Sequence, residues 1–194
     1  MSWRWATLVL LAAAGRWAVA APITVPIYLE DSHAGSFYWL AEHLVLDEEY
    51  TLIHFDAHSD ASAIFDSDNV RERLRRVGSL EERRNLLDQW RKTGAIQCYD
   101  WIEPLMPAPI SRMIWVPGPT LSKTSATERQ EKAVRQFDGH LEAAPRQSQS
   151  FRERCRVLGF DQLSGQLKDG EPVVVTIDLD YFADIPAGKR ATEF

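Results

Sequence analysis

The chain has 194 residues, 45% of them hydrophobic, and a net charge of −6, which together are typical of one globular domain. It has no run of basic residues, and this argues against a nucleic acid as partner. Its two cysteines, Cys98 and Cys155, do not form a Cys-x-x-Cys motif, so a thiolate zinc site and dithiol redox chemistry are excluded. The two thiols can form one disulfide or stay free.

The first twenty residues have the layout of a secretory signal peptide. Arg4 precedes an apolar run over residues 6–15, and small residues end at Ala20, where we expect cleavage. The run is too short to span a membrane. We therefore expect residues 1–20 to be a signal peptide, residues 21–194 to be one domain, and the protein to enter the secretory pathway or leave the cell. If the leader is amphipathic or disordered instead, we expect a cytoplasmic protein.

The next part of the chain has strand–helix–strand spacing. Residues 23–29 are predicted to form a buried strand and residues 52–55 a second one. Between them, apolar residues at i, i+3, i+4 and i+7 predict a helix over 37–46. This order is typical of a βαβ unit with parallel strands. We expect a three-layer α-β-α fold with a mainly parallel sheet.

A charged helical region follows. Residues 70–92 are predicted to be helical with a break at Gly78. Ser79 and Glu82 have the spacing of a capping box, so a new helix should begin there. A short helix is expected to end at Pro104, because proline cannot continue a helix from within.

The second half of the chain holds two more clear strands. We predict one strand at 112–116 and another at 173–177, with a polar excursion between them that includes a short helix near 128–137. Residues 173–177 are almost wholly β-branched and aliphatic. We therefore expect that strand to be central in the sheet and covered on both faces.

Acidic and histidine side chains follow two of these strands. The first group comprises Asp56, His58 and Asp60, and the second comprises Asp178 and Asp180. Side chains at the carboxyl ends of parallel strands meet at one edge of the sheet, and carboxylates crowded there repel one another unless a cation neutralises them. Oxygen ligands with a minority of imidazole favour manganese, magnesium or ferrous iron, and zinc also fits. Each group alone can instead be a solvated loop or a helix cap.

Taken together, these motifs resemble the ureohydrolase superfamily of arginases and agmatinases, whose fold is shared with the histone deacetylases. More closely, they resemble an arginase-like uncharacterised protein family. The resemblance extends over residues 25–183 and implies an arginase-like α/β domain. It rests on five segments in the same order along the chain, at residues 30–33, 54–60, 100–105, 113–116 and 177–182.

The resemblance also implies a set of metal ligands. Asp56 and Asp178 would each bridge both ions. His58 and Asp180 would complete the coordination shell of one ion, and Asp60 would bind the other. A further histidine lies in a Gly-Gly-Asp-His turn in arginases, and its counterpart here is His33, which follows Glu-Asp-Ser.

The implied activity is hydrolysis of an amidine or amide C–N bond in a small-molecule substrate. Two divalent ions would supply hydroxide, with manganese expected first and zinc or iron as alternatives. Glu30 or Asp31 would act as acid or base, although either can simply cap the helix that follows. His54 lies two residues before Asp56 on its strand. It can share the ligand face, hydrogen-bond a ligand, or be an ordinary packed histidine.

Three features separate the chain from arginases. No histidine lies between Ser59 and Ile96, where arginases place a proton-shuttling histidine. The sequence also ends soon after Asp180, before the arginase glutamate that holds the guanidinium group and before further strands. We expect either a fragment or a shortened sheet with an exposed edge. Two other functions stay open: a non-catalytic binding or structural module, and a single-zinc deacetylase-like enzyme.

Overall fold

A computed structural model gives the fold of most of the chain. The predicted leader at residues 1–20 lies outside the described residues, and so does half of the predicted helix near 128–137. The structure describes residues 25–62, 67–118, 125, 127–128, 131–132, 134–135 and 153–182.

Four parallel strands form one sheet, and this confirms the α/β class. The strand order is β3-β2-β1-β4, so β1 has a partner on both sides. Because the strands are all parallel, their carboxyl ends lie at one edge of the sheet. The strands are β1 (Tyr50–Asp56), β2 (Ile110–Pro117), β3 (Cys155–Val157) and β4 (Val173–Ile177).

Three α-helices occupy the first half of the described chain: α1 (Ala34–His43), α2 (Ser67–Arg76) and α3 (Leu80–Thr93). The predicted break at Gly78 is confirmed, and Ser79 caps α3 by accepting a hydrogen bond from the Glu82 amide at 3.2 Å. The Glu82 carboxylate in turn accepts a hydrogen bond from the Gly78 amide at 3.0 Å. Pro104 lies inside a short 3-10 turn (Glu103–Leu105) rather than after a longer helix.

Side chains alternate between the two faces of the sheet and form two apolar clusters. Leu52 of β1 and Trp115 of β2 belong to the larger cluster, which includes residues of all three helices. Ile53 and Phe55 point the other way and pack with Tyr181 in the smaller cluster. We call the side of the larger cluster the helical face. With a period of two, His54 and Asp56 of β1 also lie on this face.

The predicted first strand at residues 23–29 is wrong for the part that the structure describes. Residues 25–29 form no strand, and Ile27 and Leu29 are 83% and 88% exposed. The apolar composition suggested burial, but burial of a strand needs a partner as well as apolar side chains. Both sides of β1 are already taken by β2 and β4, so this segment has no place beside it.

The expectation that residues 173–177 form a central, doubly covered strand is also wrong among the described residues. β4 pairs only with β1 and lies at the edge of the sheet. Val175 and Ile177 are 53% and 48% exposed, whereas Val174 packs against the core of the helical face. An aliphatic, β-branched run identifies a strand, but it does not tell how many neighbours the strand has.

The two cysteines are free thiols, which decides between the alternatives left open by the sequence. Cys98 is exposed and Cys155 is half-buried in β3. Burial raises the pKa of the Cys155 thiol, so its reactive thiolate form is disfavoured. Separately, none of the helices in the described ranges has the length and apolar character needed to cross a membrane.

Candidate metal centre

The first acidic motif is placed by the end of β1. The strand ends at Asp56, whose backbone carbonyl accepts a hydrogen bond from the Trp115 indole at 2.9 Å. The chain then turns, and Asp60 adopts a left-handed conformation with φ of 48°. This turn buries the carboxylates of Asp56 and Asp60 and leaves His58 71% exposed. The alternation of its residues suggested that the motif continues the strand in an extended conformation, but the chain turns there instead.

The second acidic motif lies directly beside the first. The Asp178 amide donates to the carbonyl of Phe55 at 2.9 Å, which extends the β1–β4 pairing by one residue. A carboxylate oxygen of Asp180 then accepts a hydrogen bond from the Ala57 amide at 3.2 Å. These backbone contacts fix the two motifs against each other. The predicted meeting of the two strand ends is confirmed.

His33 connects the two motifs from the start of α1. Its Nδ1 contacts the carboxylate of Asp60 and lies 3.2 Å from Oδ2 of Asp56. Its Nε2 lies 2.8 Å from Oδ2 of Asp178. The turn that carries His33 therefore brings the imidazole between the carboxylates of the two motifs.

Among the described residues, three sets of side chains have ligand atoms close enough to hold a metal ion, and Asp56 is a member of each of these sets. One set is completely buried, one is half-buried, and one is open to solvent through His58. We call the residues of the three sets together the His/Asp cluster. The sets are His54, Asp56 and Asp60; His33, Asp56 and Asp178; and Asp56, His58 and Asp180.

The charges in the His/Asp cluster strongly affect one another. Burial alone would raise the pKa of Asp56, but the neighbouring His33 and His54 outweigh it and lower that pKa. Burial alone would lower the pKa of His33, but the carboxylates of Asp56 and Asp60 raise it to about 10. His33 therefore carries a proton at neutral pH in the metal-free chain. A metal ion that binds at His33 must displace this proton.

Two buried atoms of the cluster have no hydrogen-bond partner among the described residues: Nε2 of His54 and Oδ2 of Asp56. They lie 3.2 Å apart, and both residues are 0% exposed. An unpaired buried polar atom costs about 1–3 kcal/mol. A cation between these atoms would satisfy both, so the residues fit a divalent ion such as those that the sequence predicted.

Glu30 and Asp31, the two expected acid–base residues, belong to none of the metal-binding sets found among the described residues. The Glu30 carboxylate contacts the Tyr28 hydroxyl and lies 3.4 Å from a guanidinium nitrogen of Arg91. Asp31 is exposed. Both precede His33 on the irregular segment that runs along the surface.

Three residues with contacts near the cluster had no role in the sequence prediction. The Trp101 indole donates to Oδ2 of Asp60 at 2.8 Å. Burial, together with the charges of Asp60 and Glu103, raises the pKa of Asp100 to about 6. Thr176 lies 2.9 Å from the ring of His54. The segment 100–105 had already contributed to the resemblance, and Thr176 is the one polar residue of β4.

The fold and the cluster together define a class: an α/β protein with a parallel sheet and a carboxylate–imidazole cluster, able to hold a metal ion, at the carboxyl ends of two adjacent strands. Comparison with protein-family models, with curated proteins and with solved structures finds no match. The assignment of a function therefore depends on the chemistry of the cluster itself.

Proposed function

We propose that the protein is a metal-dependent hydrolase of the ureohydrolase type, with an arginase-like fold and a site for two divalent ions, manganese first among them. Its reaction would be hydrolysis of an amidine or amide C–N bond in a small molecule. The observation that carries this proposal is that the three metal-binding sets found in the described part of the chain share Asp56.

The orientation of Asp56 supports a bridging role. Its Oδ1 accepts a hydrogen bond from the His58 amide at 2.6 Å and lies 3.5 Å from the His58 ring. Its Oδ2 lies 3.2 Å from a ring nitrogen of His33 and of His54. The two oxygens therefore face different histidines on different sides. A carboxylate placed in this way could join two ions.

The cluster has a buried side and an open side. His54 and Asp60 lie on the buried side, where the exclusion of water strengthens electrostatic interactions. His58 is 71% exposed and its Nδ1 lies 2.9 Å from Oδ2 of Asp180. A small-molecule substrate would reach the cluster from the side of His58.

Bound ions would supply a nucleophilic hydroxide at neutral pH and polarise the carbon under attack. The protein's part is to hold the ligands rigidly at two strand ends and to keep water from the inner side. Neither Glu30 nor Asp31 belongs to a metal-binding set found among the described residues, so we assign no acid–base role to them. In the metal-free chain, burial and then the charge of Asp56 raise the pKa of Asp180, and a bound cation would oppose this effect.

Activity on small amidines and amides tests this proposal. We would load the purified full chain with Mn²⁺ and measure release of ammonia, urea or amine from a panel of guanidines, other amidines and simple amides. We expect turnover that needs Mn²⁺ and falls at least about 100-fold in Asp56→Asn, because that change removes the shared carboxylate charge. Asp161→Asn is the matched control, since Asp161 is an exposed aspartate outside the cluster.

Two other outcomes would replace the proposal. Metal-loaded protein without turnover on any member of the panel would favour a non-catalytic binding or structural module. One tightly held zinc ion per chain, with activity on acetylated amines alone, would favour the single-zinc deacetylase-like reading.

A further inference from the structure

His54 occupies an unusual place in the core of the helical face. It is 0% exposed, and its ring is edge-on to the ring of Trp101, with centroids 5.7 Å apart. Its backbone pairs in register with Thr176 of the neighbouring strand β4. The Thr176 hydroxyl oxygen lies 2.9 Å from Nδ1 of the His54 ring. One ring nitrogen therefore has a partner that the sheet register fixes.

The other ring nitrogen points into the His/Asp cluster. Nε2 of His54 lies 3.2 Å from Oδ2 of Asp56 and 4.0 Å from Oδ2 of Asp60. Neither Nε2 of His54 nor Oδ2 of Asp56 has a hydrogen-bond partner in the described part of the chain, although both are buried. The His54 ring is thus held at one nitrogen, while its other nitrogen lies beside a carboxylate oxygen with which it could share a cation.

We propose that His54 is a nitrogen ligand of a buried cation position formed with Asp56 and Asp60, and that Thr176 is the residue that positions its ring. This inference deepens the proposed function and rests on it, because it requires that the cluster binds an ion. Nδ1–H of His54 donates to Thr176, which leaves the Nε2 lone pair directed toward the carboxylates. Metal-binding histidines commonly have their second ring nitrogen fixed in this way.

The distance between Nε2 of His54 and Oδ2 of Asp56 is suitable for binding one shared ion. Ligand atoms at about 2.0–2.2 Å from an ion, at right angles to each other, lie about 3 Å apart. Nε2 of His54 and Oδ2 of Asp56 are 3.2 Å apart. Two lone pairs facing each other at this distance would repel, whereas an ion between them would bind both.

The chemistry of this inner position differs from that of the open one. It offers one imidazole and two carboxylates with no exposed member. Mg²⁺ and Ca²⁺ prefer oxygen ligands, and Mg²⁺ usually retains water, so a buried position with nitrogen favours Mn²⁺, Fe²⁺, Co²⁺ or Zn²⁺. The position with the exposed His58 should bind more weakly and lose its ion first.

Titration with Co²⁺ tests the inference, because cobalt absorption reports both the number and the type of ligands. We would titrate the metal-free full chain of the wild type, Thr176→Val and Thr176→Ser. Thr176→Val keeps the shape but removes the hydroxyl, and we expect the affinity of the tighter position to fall about 10–100-fold. Thr176→Ser keeps the hydroxyl and should stay within about threefold of the wild type.

Thr51→Val is the matched control. Thr51 is another strand threonine, buried where Thr176 is half-buried, and its hydroxyl contacts Glu171 at the opposite end of β1 from Asp56. We expect this variant to bind Co²⁺ as the wild type does. Unchanged affinity in Thr176→Val would overturn the positioning role. Absence of Co²⁺ binding to the wild type would overturn the proposed function as well, so the two failures are distinguishable.

A second measurement on the wild type covers the case in which Thr176→Val does not fold. In ¹⁵N-histidine NMR spectra, the His54 ring should be recognisable by a slowly exchanging Nδ1–H, because the ring is 0% exposed. We expect Zn²⁺ to shift its Nε2 resonance to the range of a coordinated nitrogen. An Nε2–H proton that persists in the zinc-loaded protein would overturn the assignment of His54 as a ligand.

Discussion

Asp100 is a buried acid whose charge opposes folding, and Asp100→Asn should make this visible. The residue is 5% exposed, and its Oδ1 accepts a hydrogen bond from the Gln97 amide at 2.7 Å. Burial is the main cause of its raised pKa, and the charges of Asp60 and Glu103 add to it. Asparagine removes the charge and keeps an oxygen that can accept the same hydrogen bond.

The size and the sign of the effect follow from the pKa. A rise of the Asp100 pKa from 3.8 to about 6 corresponds to about 3 kcal/mol, at ~1.4 kcal/mol per pH unit. Because the folded pKa lies above the unfolded one, the stabilisation associated with this group is complete below about pH 4. It is lost as the pH rises through about 6. Asp100→Asn should therefore match the wild type near pH 4 and be more stable by up to about 3 kcal/mol at pH 8.

Urea denaturation at intervals from pH 4 to pH 8, with a chelator present, measures this difference. Comparing the two proteins at each pH removes the contribution of the other titrating groups. The exposed Asp161→Asn serves as control and should show no such pH dependence. A difference between Asp100→Asn and wild type that is the same at pH 4 and pH 8, or a less stable variant at pH 8, would refute the reasoning.

Three further substitutions test other contacts. Trp101→Phe removes the indole that donates to buried Asp60 and should lower the free energy of unfolding in urea by about 2–4 kcal/mol; a loss below about 0.5 kcal/mol would contradict this. Arg71→Met leaves Glu103, which is 2% exposed, without its cation and should cost about 3–5 kcal/mol; adding Glu103→Gln should recover part of that loss, and a further loss would contradict it. His58→Ala should change stability by less than about 0.5 kcal/mol, since the side chain is 71% exposed, yet remove the weaker ion in a metal titration; retention of that ion would exclude His58 as a ligand.

Much of the fold could be predicted from hydrophobic periodicity and from the residues that cap helix ends. The strand predicted at 52–55 lies within β1 (Tyr50–Asp56), and the one predicted at 173–177 coincides with β4. The helix cap at Ser79 was readable because a side chain and an amide three residues apart are local partners. The pairing of strands, in contrast, joins residues that lie far apart in the sequence. The sequence therefore could not show that, in the described part of the chain, residues 25–29 pair with no strand and β4 pairs only with β1.

Part of the candidate site could likewise be predicted from the sequence, and part could not. The five acidic and histidine residues that follow β1 and β4 could be predicted because strand ends of a parallel sheet share an edge. His33 needed the resemblance, since it lies far from either motif in sequence. Trp101 and Thr176 could not be assigned, because their contacts with the cluster depend on tertiary packing. Glu30, one of the two residues expected as acid or base, contacts Tyr28 and belongs to none of the metal-binding sets found among the described residues.

Metal content is the most direct test of the central claim that the cluster is a metal centre. The full chain would be purified without chelator and analysed by mass spectrometry, beside Asp56→Ala with Asp178→Ala. Asp161→Ala with Asp169→Ala is the matched control, because both residues are exposed and outside the cluster. We expect about two manganese or iron ions per chain in the wild type and the control, and none in the cluster variant. A wild-type chain that binds no metal, with a cluster variant that folds equally well, would contradict the account.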